Sequence, residues 1–421
     1  MGRIRPSSRF PWRFCRHKDF HERDGPEGYG QLALGITIAG LINMFVYGPF
    51  GQVVLRFFSV YRERGELNVY FYVLKKIHIA SGLLLIGCVA VASAPIFWWF
   101  GADWAMLVLM TSLFGIVTGF YSSFLFLQGA LRQRKMVALH QAAEAWLRPA
   151  LGVAALMVFG CGTPIVFLGF IVGTLLVVLS QWAFSSRSEI IRRHWNAPAP
   201  ENTIQNKATR EFFAYAGPLS KFAVFSTISI YADRWMLQGL FGVNQVGIYV
   251  ALYQIANAPV ALLFNSATRL MEPIIFARAG TMTNTTQAIT ANRLLYKMIV
   301  VFSLLMVPIV IAAYSFGEPL VRILTSTAFS GYAGVLWIMT AGISMFYMGQ
   351  LLTIKGMNFH RPGIYILPKA VQAGVFLVLI YFLARYFGLA GVAVSICISS
   401  LLYIVMVIVV NRRLGKTVVL A

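Results

Sequence analysis

The sequence predicts an all-α polytopic membrane protein of about eleven transmembrane helices, and three observations predict it. The chain has 421 residues, of which 58% are hydrophobic and only 12% charged, and its mean hydropathy is +0.72. A soluble domain carries about a quarter charged residues, so this much apolar surface has no place in a water-soluble core. The apolar residues fall in long runs, and a helix that crosses a bilayer needs about 20 of them. Lipid leaves helices or closed barrels as the only spanning structures, and these runs are too long and continuous for barrel strands.

In chain order the runs cover residues 30–57, 77–100, 104–128, 137–159, 163–184, 212–237, 246–270, 294–316, 331–354, 363–384 and 389–411. The loops between them alternate in charge. One set carries Arg62, Arg64, Lys75 and Lys76, then Arg132, Arg134 and Lys135, then Arg187, Arg192, Arg193, Lys207 and Arg210. The set continues with Arg278 and Arg293, with Lys355 and Arg361, and with the tail residues Arg412, Arg413 and Lys416. The other loops hold Asp103, Glu318 with Arg322, and Arg385. Basic loops stay in the cytoplasm, which places the C-terminus inside. The net charge of +21 is therefore charge on loops facing anionic lipid and does not point to nucleic acid.

The expected organisation is a basic tail over 1–29, a five-span bundle over 30–184, a cytoplasmic linker over 185–211, a six-span bundle over 212–411 and a cytoplasmic tail over 412–421. Eleven spans with an inside C-terminus put the tail outside, although it holds Arg3, Arg5, Arg9, Arg13, Arg16, Lys18 and Arg23. Internal repetition offers a reason. "GPEGYGQLALGITIAGLINM" from Gly25 matches "GVNQVGIYVALYQIANAPVA" from Gly242, with Gly30 opposite Gly247. "LQGALRQRK" from Leu127 matches "TIKGMNFHRPG" from Thr353, with Gly129 opposite Gly356 and Arg134 opposite Arg361. The repeat is about six helices long, so the expectation is a twelve-helix plan whose first helix this chain lacks.

"ADRWMLQGLFGVNQVGIYVALYQIANAP", from Ala232, resembles the signature of polysaccharide transporters and lipid-linked oligosaccharide flippases. That family sits in one superfamily with multidrug and toxin exporters. "GPEGYGQLAL" and "GLAGVAVSICIS", from Gly388, resemble other segments of it, and the likeness runs from Gly25 over almost the whole chain. The resemblance implies two six-helix bundles facing each other in a V, around a cavity open alternately to either side. It implies a polyprenyl-diphosphate-linked oligosaccharide as substrate, moved across the inner membrane. It also implies membrane lipids, and a polymerase or glycosyltransferases, as partners. The alternatives are a cation-coupled multidrug exporter of the same superfamily, or a scaffold or inactive truncated member.

Charges at membrane depth give a second route to a site, because a charge there normally faces a bundle interior or a wet cavity. Glu144 and Arg148 stand at i,i+4 on one helix face, as a self-neutralising ion pair or as cavity lining. Lys221, one turn after Gly217-Pro218, is expected to snorkel or to touch substrate. Asp233 and Arg234 are adjacent, about 100° apart on a helix, so they point to different surroundings. They are cavity or interfacial residues. Gln254 and Asn257, at i,i+3, are candidates for sugar hydroxyls or for hydrogen bonds between helices. Lys369, after Pro368, is a candidate phosphate contact with snorkelling as the alternative, and Arg269 and Glu272 read as cytoplasmic-interface charges. Cations outnumber acids among these positions, which suits a diphosphate.

Nothing points to an enzyme. Cys15, Cys88, Cys161 and Cys397 are scattered, and the six His, including His78, His140 and His360, have no ligand spacing, so neither metal nor cofactor is expected. No GxxxxGKS/T loop occurs, so any driving force comes from ion or lipid gradients. "VYGPFGQ" at 46–52 is a candidate bending point.

Overall fold

The computed structural model describes residues 25–160, 162–279, 285–359 and 362–419. The side chains of 59, 218–219, 221–230, 269, 272–273, 276–277, 279, 285–288, 362 and 415–419 fall outside that description. All regular structure among the described residues is helical. The long helices are α1 (Pro26–Glu63), α2 (Leu67–Phe100), α3 (Ala102–Ala130), α4 (Arg134–Phe159) and α5 (Thr163–Ser185). A short α6 (Glu189–His194) is followed by α7 (Asn202–Phe241), α8 (Val243–Ala279) and α9 (Thr285–Ser315). Two short helices, α10 (Gly317–Leu324) and α11 (Thr327–Ser330), precede α12 (Leu336–Asn358) and α13 (Ile366–Val419). Within α13, Gly388 has φ 56° and ψ −137°, so α13 is two helices joined at that residue. The left-handed φ is open to glycine without a Cβ penalty.

Each expected span falls on one of these helices, with the last two on either side of Gly388. Among the described residues, nine helices are long and apolar enough to cross a membrane, and Gly363–Leu414 counts once among them. Several helices begin earlier than their apolar runs. Lys75 and Lys76 lie inside α2, and Lys207, Arg210 and Glu211 inside α7. Hydropathy reads the thickness of the hydrocarbon and not the end of the hydrogen-bonded helix.

The chain divides into two compact units. The first holds residues up to Gly28 and Gly35–Lys221; the second holds Tyr29–Leu34 and Phe222–Ala421. In the first unit an aromatic core ties α1, α2 and the start of α7 together. Phe57 and Tyr61 meet Phe212 at 5.1 and 5.6 Å between ring centroids, and Tyr70 meets Phe58 at 5.9 Å. Such pairs contribute about 0.5–1.5 kcal/mol each beyond area burial. The buried hydroxyls are satisfied. Tyr70 donates to the Val54 carbonyl at 2.9 Å, and Tyr61 to Glu211 at 2.9 Å. Small residues bring α4 and α5 close, as expected where apolar lipid provides no drive for helix pairing. A Cβ on Gly169 would stand 2.2 Å from the Leu151 carbonyl oxygen, and one on Gly173 would stand 3.1 Å from Arg148 Cα.

α1 is not uniformly α-helical. Asn43–Tyr47 form a π turn, immediately before Gly48-Pro49 of the "VYGPFGQ" segment. Asn43 Nδ2 donates to the carbonyls of Ala39 and Gly115 (3.0 Å each) and to Thr118 Oγ1 (2.8 Å). Pro49 lacks an N–H, which removes one bond of the ladder at this place.

In the second unit α7 turns into α8 at Gly242, whose φ of 81° is a left-handed conformation. Its repeat partner Gly25 has φ −56° and caps α1 instead. Gly30 and Gly247 do more than correspond. A Cβ on Gly30 would lie 2.1 Å from the Val243 carbonyl oxygen and 3.0 Å from the Gly247 amide nitrogen. The two matched glycines therefore meet where one backbone crosses the other.

Large apolar side chains cover the outer faces, as a lipid-facing surface requires. Trp98 and Trp99, at the end of α2, are 85% and 83% exposed. Tyr314 with Phe316, and Tyr386 with Phe387, are exposed at other helix ends joined by base-poor loops. Aromatic residues of this kind favour the membrane–water interface.

Candidate functional site

In the first unit the expected Glu144–Arg148 pair forms. Arg148 Nη1 donates to Glu144 Oε1 at 2.8 Å. The Glu144 side chain is 11% exposed and that of Arg148 40%. The guanidinium also stands over the rings of Phe170 (5.8 Å) and Phe114 (6.0 Å), from α5 and α3. Gly173 lets α5 reach the backbone at Arg148, so three helices fix this cation. Its remaining N–H groups keep an open side.

In the second unit Asp233 and Arg234 part company, as their angular separation requires. Asp233 is 9% exposed, and Tyr249 on α8 donates to its Oδ2 at 2.6 Å. The Arg234 amide donates to Oδ1 at 2.8 Å. A buried carboxylate is tolerated only with such charge-assisted partners. The Arg234 guanidinium stands over the Tyr231 ring at 5.6 Å. Asp233 is thus a brace between α7 and α8, and Arg234 is the half-buried charge of the two.

Asn257 and Lys369, from α8 and α13, converge on neighbouring aromatic residues of α12. Tyr347 donates to Asn257 Oδ1 at 3.2 Å, and its ring packs on Phe264 at 4.5 Å. The Lys369 ammonium stands 5.6 Å from the Phe346 ring centre, and that ring stacks on Tyr403 at 5.8 Å. Gln350, one turn beyond Phe346, donates to the Tyr403 hydroxyl at 3.2 Å. Gln254 is exposed, one turn before Asn257 on α8. The group therefore combines aromatic faces, amides and one ammonium. Aromatic faces pack on the apolar face of a sugar ring, amides bond to hydroxyls, and an ammonium attracts phosphate.

Sequence reasoning missed Phe346, Tyr347, Gln350 and Tyr403. Inside an apolar run an aromatic residue reads as core, and only the i,i+4 spacing of Phe346 and Gln350 hints at a shared face. The side chains of Lys221, Arg269 and Glu272 lie outside the described residues. Among the described residues no group of three His, Cys, Asp or Glu is placed to hold a metal.

Helices of this length, two units, and buried ion and amide contacts between spans define a multi-pass membrane protein. Its fold is that of known transporters. The chain superposes on the inward-facing conformation of a multidrug resistance MATE family transporter of the MOP superfamily with a TM-score of 0.71. That match has 14% identity and covers 94% of this chain and 92% of that one. On the lipid II flippase MurJ, in an inward closed conformation, the TM-score is 0.67 at 13% identity, covering 92% of this chain and 86% of that one. A MOP superfamily transporter from Pyrococcus furiosus is similar at a TM-score of 0.58 and 12% identity, over 93% and 86% of the two chains. Comparison with curated proteins gives no match. Residues 25–279, more than half of the chain, match the model of the polysaccharide biosynthesis protein family, and the chain belongs to that family.

Proposed function

We propose that this protein is a flippase that moves a polyprenyl-diphosphate-linked oligosaccharide, or a related polysaccharide precursor, across the cytoplasmic membrane by alternating access. Membership of the polysaccharide biosynthesis family carries the reading. The side chains support it. Arg148, Arg234 and Lys369 each rest on aromatic rings, which hold a cation in place without using its donors; Arg148 spends one on Glu144 and keeps the others for phosphate. An exporter of organic cations is better served by unpaired acids, and the two acids at these sites are both engaged, Glu144 by Arg148 and Asp233 by Tyr249. Asn257, Gln254 and the α12 aromatic residues serve the sugar. The basic loops support a cytoplasmic C-terminus, on the side where glycosyltransferases would build such a substrate.

The test is complementation of a bacterial strain lacking its oligosaccharide flippase, with accumulation of the lipid-linked precursor as readout. Wild type clears the precursor, and Arg148→Gln, Arg234→Gln and Lys369→Gln clear it more slowly at equal membrane abundance. Full activity of all three variants overturns the assignment of these cations to substrate. Failure of the wild type in a strain whose precursor it is made to match overturns the function.

A further inference from the structure

We infer that the first unit carries a binding site for one acyl chain of an anionic glycerophospholipid, at the basic end of α2 and α3. The cleft encloses about 200 Å³. Its walls are apolar, formed by Val54 of α1, Leu74 and Ile79 of α2, and Phe120, Phe124 and Leu127 of α3. His78 and Ser123 also line it, but they are committed to each other. His78 Nε2 and Ser123 Oγ lie 2.8 Å apart, Nδ1 faces the Leu74 carbonyl at 2.9 Å, and Ser123 donates to the Gly119 carbonyl at 2.9 Å. The cleft thus offers a ligand hydrocarbon contact and little polar contact. It adjoins an outer face that carries the exposed apolar residues Ile79, Leu83 and Leu84.

The rim supplies the headgroup chemistry. Lys75 and Trp195 stand at the mouth. Trp195 follows α6 and is held by Trp182 and Phe71, with ring centroids 5.1 and 6.0 Å away. The Lys75 ammonium donates to the Trp195 carbonyl at 3.4 Å and stands 5.8 Å from its ring. An ammonium has three donors, and no carboxylate pairs with Lys75 among the described residues. Lys76 is exposed beside it, and α6 brings Arg192 and Arg193 in its last turn, both exposed. An apolar slot, an interfacial tryptophan and an unneutralised basic rim together match a phosphodiester-bearing lipid with net negative charge. Placing that lipid in the cytoplasmic leaflet rests on the topology proposed above; its binding does not depend on transport.

Native mass spectrometry of the purified protein in detergent tests the site, with phosphatidylglycerol, phosphatidylethanolamine and undecaprenyl phosphate added in separate arms. Phosphatidylglycerol is expected to be retained over phosphatidylethanolamine. Lys75→Gln and Lys76→Gln are each expected to reduce that preference about fivefold, the effect of removing one cation near a lipid surface. Ile79→Trp, at a position 52% exposed, narrows the mouth without touching the core, and should reduce retention whatever the headgroup. An unaltered melting temperature shows that the variants fold. Equal retention of the two phospholipids overturns the proposal. So does a preference unmoved by the lysine variants, or displacement of phosphatidylglycerol by undecaprenyl phosphate, which would make the cleft a substrate site.

Discussion

Removing one member of the Glu144–Arg148 pair should cost very different amounts depending on which member goes. The Glu144 side chain is 11% exposed and that of Arg148 40%, at a contact of 2.8 Å. In Arg148→Met the carboxylate stays behind, nearly buried and without its cation. Breaking a buried pair in this way costs about 3–5 kcal/mol, and the partial exposure of Arg148 brings this to about 2–4 kcal/mol. In Glu144→Gln the guanidinium keeps its seat over Phe114 and Phe170, worth about 0.5–2 kcal/mol, and reaches solvent on its open side. The loss there should be about 1 kcal/mol. The double variant leaves no stranded charge and should fall near Glu144→Gln, so a double-mutant cycle shows a coupling of about 2–4 kcal/mol. Reversible unfolding of detergent-solubilised protein in sodium dodecyl sulfate measures all three. If Glu144→Gln proves as damaging as Arg148→Met, the carboxylate is not the stranded partner and the reasoning fails.

Other outcomes follow from the same geometry. Tyr249→Phe removes a charge-assisted donor from the buried Asp233 and should cost about 1.5–3 kcal/mol, whereas Asp233→Asn retains an acceptor and should cost less; melting curves decide. Gly30→Ala drives a methyl group into the Val243 carbonyl and should cost about 1–3 kcal/mol, while Gly25→Ala, with nothing within 4 Å, should be silent. Gly242→Ala forces a Cβ into a left-handed turn, and the same melting assay should show a loss of about 1–2 kcal/mol. Phe346→Leu takes the ring from beneath Lys369, and the precursor-clearance assay should show slower transport with little change in melting temperature.

The helices were legible because the bilayer imposes a length and a polarity on every span. The separation of the last two spans, 363–384 and 389–411, was legible as well, whereas the turn at Gly388 itself came only from the backbone. Charges inside the apolar runs were visible, but their partners were not. Nothing in the order of residues says that Asp233 faces Tyr249 on the next helix, or that Lys369 lies over Phe346. Those contacts depend on how helices are rotated about their axes, and an all-round apolar span has too weak an amphipathic signal to fix that rotation. The role of Trp195 was hidden for a different reason. It sits in a polar linker, where composition suggests a solvated loop, and only packing against Trp182 and Phe71 makes it part of the fold.

The π turn at Asn43–Tyr47 gives α1 an unusual genetic tolerance. A π turn holds one residue more than the α-helical path across the same stretch. Deleting one residue there would therefore restore an unbroken α-helix with the downstream phase nearly kept, and no hydropathy profile would register the change. Phe57 and Tyr61 would stay on Phe212 while Ala39 stayed seated on Gly115. The regular helix beyond the turn has no such slack, and a deletion there rotates the residues past it by about 100° relative to Ala39. An in-frame single-codon deletion should therefore be better tolerated inside the π turn than a few residues after it.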